Sequence, residues 1–188
     1  GQLGSRGVRL RGPQRARPQS ASFRIGGQAA DGAGDVNGDG FDDVMIGADY
    51  APTVNQARGA AWLYLGSANG LSTTPAWTQE GEKDQDRFGY AISAAGDLDG
   101  DGRGDVVIGA HNFGDGSAGK LYVFYGGDGL REAADWTAEG TLAGASLGYA
   151  VVAAGDLDGD GHDDLLGGAD TYSNGEDGEG AVYLFRGG

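Results

Sequence analysis

The chain has 188 residues, 40 of them glycine, no cysteine, and a formal net charge of −15 at pH 7. Without cysteine, neither a disulfide framework nor a thiolate metal site can form. No apolar run is long enough to span a membrane, and the acidic body would repel nucleic acid. Short apolar clusters alternate with Gly, Asp and Asn, which predicts an all-β fold of strands and tight turns.

The N-terminal segment differs in charge from the rest of the chain. Six of the 13 basic residues fall within the first 24 positions, and the first acidic residue is Asp31. We expect residues 1–21 to form a flexible basic tail and residues 22–188 to form the folded domain. The segment begins with Gly1 and shows no apolar stretch typical of a signal peptide, which favours a processed or truncated start.

One unit is repeated three times at intervals of about 60 residues, which indicates a repeat architecture. Each copy has an acidic loop, then a short apolar strand, then a second strand about a dozen residues later. Trp77 and Trp136 open a third strand, and Phe88-Gly89 and Leu147-Gly148 open a fourth. Neighbouring positions of the second strands are both apolar, so both sheet faces must be covered. Units stacked around an axis satisfy this requirement, which predicts a β-propeller rather than a β-solenoid of shorter repeats.

The two terminal repeats depart from this pattern. Phe23 lies 12 residues before the first loop, whereas Trp77 and Trp136 lie 20 residues before theirs. We therefore expect the first repeat to lack its Phe-Gly strand, and 23–25 to serve as the outer strand of a neighbouring blade. The third repeat stops at Gly188, before any Trp-Thr strand. Because propellers have four to eight blades, we expect either further blades outside this chain or self-association.

The repeated loops, at 35–43, 97–105 and 156–164, contain the candidate metal ligands. Oxygen ligands at positions 1, 3, 5, 7 and 9 of such a loop surround a hard cation, and glycine at position 6 permits the sharp turn. Position 7 contributes its backbone carbonyl, and calcium fits a flexible all-oxygen site better than magnesium. About three calcium sites are therefore expected. The candidate ligands are Asp35, Asn37, Asp39, Phe41 and Asp43; Asp97, Asp99, Asp101, Arg103 and Asp105; and Asp156, Asp158, Asp160, His162 and Asp164.

The loops are not EF-hands. An EF-hand needs a bidentate glutamate at position 12 and flanking helices. Here position 12 holds Ile46, Ile108 or Gly167, and strands follow the loops. Dockerin-like modules are excluded for the same two reasons.

The loops, together with Phe88-Gly89, Ile46-Gly47-Ala48 and Ile108-Gly109-Ala110, resemble FG-GAP repeats, the units of the integrin α-subunit propeller. The resemblance covers about residues 22–188. It implies calcium on the loops, an extracellular or cell-surface setting, and recognition of a ligand by other loops. The third repeat departs from the pattern, with Leu147 in place of Phe and Gly167-Gly168-Ala169 after the loop.

Three other features match functional motifs or residue types only weakly. Arg103-Gly104-Asp105 spells an adhesive tripeptide, but its aspartate is a loop ligand and should point inward. Residues 144–148 match the nucleophile-elbow pattern, which requires a following helix, and a strand is expected there. His111 should lie in a loop after a strand, as a surface contact.

These observations favour a calcium-binding extracellular module for cell adhesion or protein recognition. We expect a protein or glycan ligand, no nucleic acid and no insertion into a membrane. No convincing nucleophile is present, so we expect no enzyme activity. Two alternatives remain open: a lectin-like propeller with sugar sites between blades, and a non-catalytic domain of a secreted hydrolase.

Overall fold

The computed structural model describes residues 29–50 and 57–188. The predicted tail at 1–21 and the predicted outer strand at 23–25 lie outside these residues. Within them the chain forms strands and turns, and no helix has the length and apolar character needed to cross a membrane. The strands are β1 (Ala29–Gly34), β2 (Asp43–Ala48), β3 (Ala60–Tyr64), β4 (Trp77–Glu80), β5 (Ala91–Gly96), β6 (Asp105–Ala110), β7 (Lys120–Phe124), β8 (Trp136–Glu139), β9 (Leu147–Gly155), β10 (Asp164–Ala169) and β11 (Ala181–Phe185).

The strands form three antiparallel sheets, one for each repeat. Blade 1 has the order β1-β2-β3-β4, blade 2 has β5-β6-β7-β8, and blade 3 has β9-β10-β11. The first strands pack side by side, β1 on β5 and β5 on β9, so they form the inner edge of the stack. This arrangement confirms the prediction of an all-β propeller with about three blades and an unclosed ring.

The prediction that the first repeat lacks the strand before its loop was wrong. β1 pairs with β2 in the register that β5 makes with β6, with the same irregularity just before the loop. The prediction took Phe88-Gly89 as part of the strand, but β5 begins only at Ala91 and Phe88-Gly89 precedes it. Residues 29–34, most of which are small, form the equivalent strand.

Both faces of the middle blade are buried, as the apolar pattern predicts. All six residues of β6 and all five of β7 are buried. One apolar cluster lies between blades 1 and 2, where Trp77 meets Phe124 edge to face at 4.9 Å. A second lies between blades 2 and 3, where Trp136 meets Phe185 in the same way at 5.0 Å. These two tryptophans are therefore packing residues between neighbouring blades.

Candidate metal centres

The ninth residue of each acidic loop is a buried aspartate that holds the loop closed. Its side chain is 0%, 0% and 2% exposed in the three loops. One carboxylate oxygen accepts the N–H of loop position 2, and the other accepts an N–H just after the third strand of the blade. The pairs are Asp43 with Val36 and Gly66, Asp105 with Leu98 and Gly126, and Asp164 with Leu157 and Gly187, at 2.7 to 3.2 Å. Each oxygen retains a further lone pair that could bind an ion.

The other loop carboxylates are fixed by local backbone hydrogen bonds. The aspartate at position 1 of each loop accepts the N–H of the glycine at position 6. The aspartate at position 5 accepts the N–H of the residue at position 7. In the second loop these distances are 2.9 Å from Gly102 to Asp97 and 2.9 Å from Arg103 to Asp101. Gly100 and Gly102 have φ of 76° and 84°, values that residues with a Cβ rarely adopt. The glycines at positions 4 and 6 therefore permit the curl that turns the carboxylates inward.

The second loop fits a cation best. Carboxylate oxygens of Asp97, Asp99 and Asp105 lie within 4.8 Å of one another. Oδ1 of Asp97 is buried and accepts no hydrogen bond, although a buried carboxylate oxygen normally has a donor. Burial raises the pKa of Asp105 to about 6, against hydrogen bonds from Gly126 and Leu98 that lower it. A bound divalent cation would satisfy the free oxygen and favour the ionised carboxylates.

The third loop brings its aspartates together in a more exposed setting. Oxygens of Asp156, Asp158 and Asp160 lie within 4.8 Å of one another. The cluster does not include Asp164. Arg186 Nη1 lies 3.0 Å from Asp158 Oδ2, so a basic side chain partly neutralises this loop. Hydrogen bonds from backbone amides, first that of Gly161, lower the pKa of Asp156, so this carboxylate is ionised and available to an ion.

The first loop has a different arrangement. Asn37 replaces the aspartate at position 3, and its Nδ2 donates to Asp39 Oδ2 at 3.0 Å. Both oxygens of Asp35 accept backbone N–H groups, from Asp39 and Gly40. Among the described residues this loop forms no cluster of three acidic groups. Oδ1 of Asn37 accepts the N–H of Asp39 at 3.0 Å, as Oδ1 of Asp99 accepts that of Asp101 in the second loop.

The side chain at position 7 of the second and third loops has a role that the sequence analysis missed. The guanidinium of Arg103 lies against Gly38, where a Cβ would be 3.1 Å from Nε, and the ring of His162 lies against Gly100, where a Cβ would be 2.6 Å from Cε1. Each position-7 side chain thus covers the position-4 glycine of the preceding loop. The repeat spacing alone gives no signal for this contact, because it depends on how the blades stack.

The three other motifs take the following places. Asp105 of the Arg-Gly-Asp tripeptide is buried and points into the loop, as expected. Residues 144–148 lead directly into strand β9, so the helix that a nucleophile elbow requires is missing from this part of the described chain. His111 lies in the turn that follows β6, as expected; it is half-buried, and its ring centroid lies 4.2 Å from that of Tyr90 and 5.7 Å from that of Tyr149.

His111 belongs to a polar and aromatic cluster at the end of the blades opposite the acidic loops. The rings of Tyr90 and Tyr149 are tilted at 42° with their centroids 5.1 Å apart, and the hydrogen bond between their side chains raises the pKa of Tyr90 to about 12. Arg87 pairs with Asp49 at 3.0 Å and lies over the ring of Tyr50. Part of this cluster could have been found from the sequence, because Tyr90 and Tyr149 occupy the same position of their repeats.

Stacked antiparallel blades, each with an acidic loop between its first two strands, define a repeat-built β-propeller. The model of the FG-GAP repeat matches residues 27–64, 88–124 and 147–185. The chain therefore belongs to the FG-GAP repeat family, and its repeats are of the integrin α type.

The curated relatives agree with this assignment. The chain is 31% identical to integrin alpha-PS2 of Drosophila melanogaster over 166 residues, which cover 81% of this chain and 11% of the relative. It is 34% identical to integrin alpha pat-2 of Caenorhabditis elegans over 154 residues (72% and 12%) and 32% identical to human integrin alpha-IIb over 146 residues (72% and 14%). The chain thus spans only a small part of the length of these relatives.

Proposed function

We propose that residues 22–188 form a calcium-binding propeller module that acts outside the cell in adhesion or protein recognition, with residues 1–21 as a basic tail. The observation that carries the proposal is the buried, unpartnered Oδ1 of Asp97 beside Asp99 and Asp105. The proposal assigns the chain binding and no catalytic step. The likeness to integrin α subunits supports the adhesive role and the extracellular setting.

Calcium would be held by the same five positions in each loop. In the second loop these are Asp97, Asp99, Asp101, the carbonyl of Arg103, and Asp105. None of the three position-7 carbonyls accepts a hydrogen bond from the described residues, so each is available as a ligand. The ion would screen carboxylates that otherwise repel one another. An ion that binds only the folded loop stabilises the native state, by about 1 to 2 kcal/mol per site when its concentration is roughly ten times the Kd.

The surface that meets a partner would lie at the opposite end of the blades. The β2–β3 and β4–β5 connections end there, and Tyr50 is exposed beside Arg87 and Asp49. Such connections carry recognition in many folds because the scaffold beneath them is rigid. We propose a protein ligand for this end, in keeping with the adhesive role.

Calorimetric titration of the chelator-treated chain with calcium tests the metal proposal. We expect uptake of about three ions, and a melting temperature that falls when calcium is removed. Asp99→Asn should remove or weaken one site, whereas Asp115→Asn, an exposed change outside the loops, should leave all sites intact. Absence of calcium uptake by the folded chain would refute the proposal.

A groove between blades 1 and 2 favours a glycan ligand as a second candidate. It has a volume of about 270 Å³, and Gln79, Glu80, Glu82 and Glu132 line it above a floor of buried aromatic residues. Carboxylate and amide groups bind sugar hydroxyls through hydrogen bonds. A glycan array would test this: binding that Glu132→Ala abolishes and Asp115→Ala preserves would support a lectin, and an array without binding would exclude the sugars it carries.

A further inference from the structure

The chain contains three Asn-Gly dipeptides, which begin at Asn37, Asn69 and Asn174. An asparagine in this pair readily loses its side-chain amide, because glycine has no Cβ to obstruct attack of its nitrogen on the asparagine side chain. Asn69 and Asn174 lie in exposed connections between strands, whereas Asn37 is half-buried at position 3 of the first acidic loop. Exposure alone would therefore favour reaction at Asn69 and Asn174, but the surroundings of Asn37 favour the opposite order.

The side-chain amide of Asn37 is held at both ends by Asp39. Its Oδ1 accepts the backbone N–H of Asp39 at 3.0 Å, and its Nδ2 donates to Asp39 Oδ2 at 3.0 Å. An N–H that points at Oδ1 polarises the amide carbonyl and stabilises the negative charge that this oxygen gains when its carbon is attacked. The first contact therefore activates Cγ of Asn37, and the second restricts rotation of the amide.

The backbone nitrogen of Gly38 is the adjacent nucleophile. Its N–H donates to no acceptor among the described residues, so no such hydrogen bond has to break before it reacts. The guanidinium of Arg103 lies against this glycine, where a Cβ would be 3.1 Å from Nε. A neighbouring cation favours the anionic form of an acidic group, and here that group is the peptide N–H. The side chain that covers Gly38 thus also favours the reactive, deprotonated nitrogen.

The two other dipeptides lack these contacts. Apart from the adjoining residues, no part of the described chain lies within 4 Å of a Cβ position at Gly70 or Gly175, so no cation packs against either glycine. The N–H of Gly70 already donates to Ser67 O at 2.8 Å. Among the described residues, Asn69 and Asn174 donate hydrogen bonds only through their backbone N–H groups. Neither side-chain amide is therefore activated as that of Asn37 is.

We propose that Asn37 is a site of spontaneous deamidation, and that in the folded chain it reacts faster than Asn69 and Asn174. Gly38 N loses its proton to solvent and attacks Cγ of Asn37, which forms a new N–C bond. The bond from Cγ to Nδ2 breaks, Nδ2 takes up a proton and leaves as ammonia, and a cyclic succinimide remains. Water then opens the ring. Cleavage of the new N–C bond gives aspartate, and cleavage between Gly38 N and the main-chain carbonyl carbon gives isoaspartate.

The consequence for the loop rests on the proposed calcium-binding function. The second and third loops carry aspartate at position 3, as Asp99 and Asp158, so the aspartate product gives the first loop their ligand set. Charge and ligand number set the affinity of such sites, and this product should bind calcium more tightly. Isoaspartate lengthens the main chain by a methylene group and displaces the carboxylate, so this product should bind calcium more weakly. The reaction therefore changes the calcium affinity of the first loop with time.

Peptide mapping by mass spectrometry, after incubation of the folded chain in mildly alkaline buffer with a chelator, tests the modification site without calcium. We expect amide loss at Asn37 to be at least about tenfold faster than at Asn69 or Asn174, a modest part of the gain that positioned groups supply. In guanidinium chloride the three rates should be similar, because only the local sequence acts there. Equal rates in the folded chain, or faster loss at an exposed site, would overturn the proposal.

Two variants test the part played by the guanidinium. Arg103→Gln should slow amide loss at Asn37 at least about threefold, because the neighbouring charge is removed, and should leave the rates at Asn69 and Asn174 unchanged. Arg131→Gln, at an exposed arginine between β7 and β8, is the matched control and should alter none of the three rates. Circular dichroism checks that both variants are folded. An unaltered rate in folded Arg103→Gln would overturn the assignment of Arg103.

Calorimetric titration of the separated products tests the link to calcium. The aspartate product should show a lower Kd at the first loop than the unreacted chain, and the isoaspartate product a higher one. If Asn37 reacts at the expected rate but the folded chain takes up no calcium, the modification site stands and the proposed function fails. If calcium binds and the rates at the three asparagines are equal, the proposed function stands and the modification site fails.

Discussion

The side chain of Asp163 accepts a hydrogen bond from the backbone N–H of Asp97 at 2.9 Å, which joins the third acidic loop to the second. Asp163 returns a bond through its own N–H to the carbonyl of Asp97 at 2.8 Å. The first ligand position of one loop is thus fixed by the next loop. The loops form a connected series along one end of the blades, and the stability of one should depend on its neighbour.

Asp163→Ala should therefore weaken the second loop, although residue 163 is not one of the candidate ligands. Loss of this hydrogen bond should cost about 1 kcal/mol of stability and reduce calcium affinity at the loop that begins with Asp97. Thermal unfolding and calorimetric titration measure the two effects. Asp115→Ala, a change at an exposed aspartate outside the loops, serves as the control and should change neither. If the two substitutions change stability and calcium affinity equally, the hydrogen bond between the loops contributes to neither.

Aspartates at positions 3 and 9 of one loop should respond differently to substitution. Asp105→Ala leaves the N–H groups of Leu98 and Gly126 without an acceptor, so it should cost about 2 to 4 kcal/mol even in a chelator. Asp99→Ala removes a single local bond from the N–H of Asp101 and should affect stability mainly when calcium is present. Urea unfolding with and without calcium separates the two cases. If both variants lose stability only with calcium present, position 9 has no structural role.

The loops could be predicted from the sequence because each lies within nine consecutive residues, and the threefold repeat predicted the blades. The contacts between blades could not be predicted in this way. Asp163 and Asp97 are 66 residues apart, and nothing in either repeat indicates that they meet. The inner strand of blade 1 was missed for a different reason: its residues are small, and the sequence analysis looked for aromatic residues there.

Gly109→Ala should destabilise the interface between blades 2 and 3. The added Cβ would lie 2.1 Å from the backbone oxygen of Gly148, and backbone cannot move aside as a flexible side chain can. We expect a loss of about 1 to 3 kcal/mol, typical of an overpacked core. Gly32→Ala is the matched control, because nothing lies within 4 Å of its Cβ position and alanine restricts the unfolded chain. Chemical denaturation of both variants should show a loss only for Gly109→Ala.

Asn37→Asp should tighten calcium binding at the first loop. The amide nitrogen of Asn37 now donates to Asp39, and a carboxylate would replace this donor with a ligand and restore the acidic pattern of the other loops. Charge and ligand number set the affinity of such sites. Titration should show one site with a lower Kd, while Asn69→Asp, an exposed change after β3, should leave all sites unchanged. An unaltered first site would mean that position 3 of this loop does not bind the ion.

Asp105 should make stability in a chelator depend on pH. Burial raises its pKa in the native state from 3.8 to about 6, so between about pH 4 and pH 6 the native state holds more protons at this site than the unfolded chain. The contribution of Asp105 to the free energy of unfolding therefore falls as the pH rises through this window. Calcium should oppose the fall, because it stabilises the ionised carboxylate.

The measurement is the melting temperature across this window, in a chelator and in excess calcium, for the wild type and for Asp105→Asn. The side chain of the variant cannot titrate, so its melting temperature should decline less than that of the wild type in the chelator. The difference between the two proteins isolates Asp105 from the other acidic groups, which titrate in both. Parallel curves for the two proteins would show that residue 105 titrates alike in the folded and unfolded chains, and that its burial leaves its proton affinity unchanged.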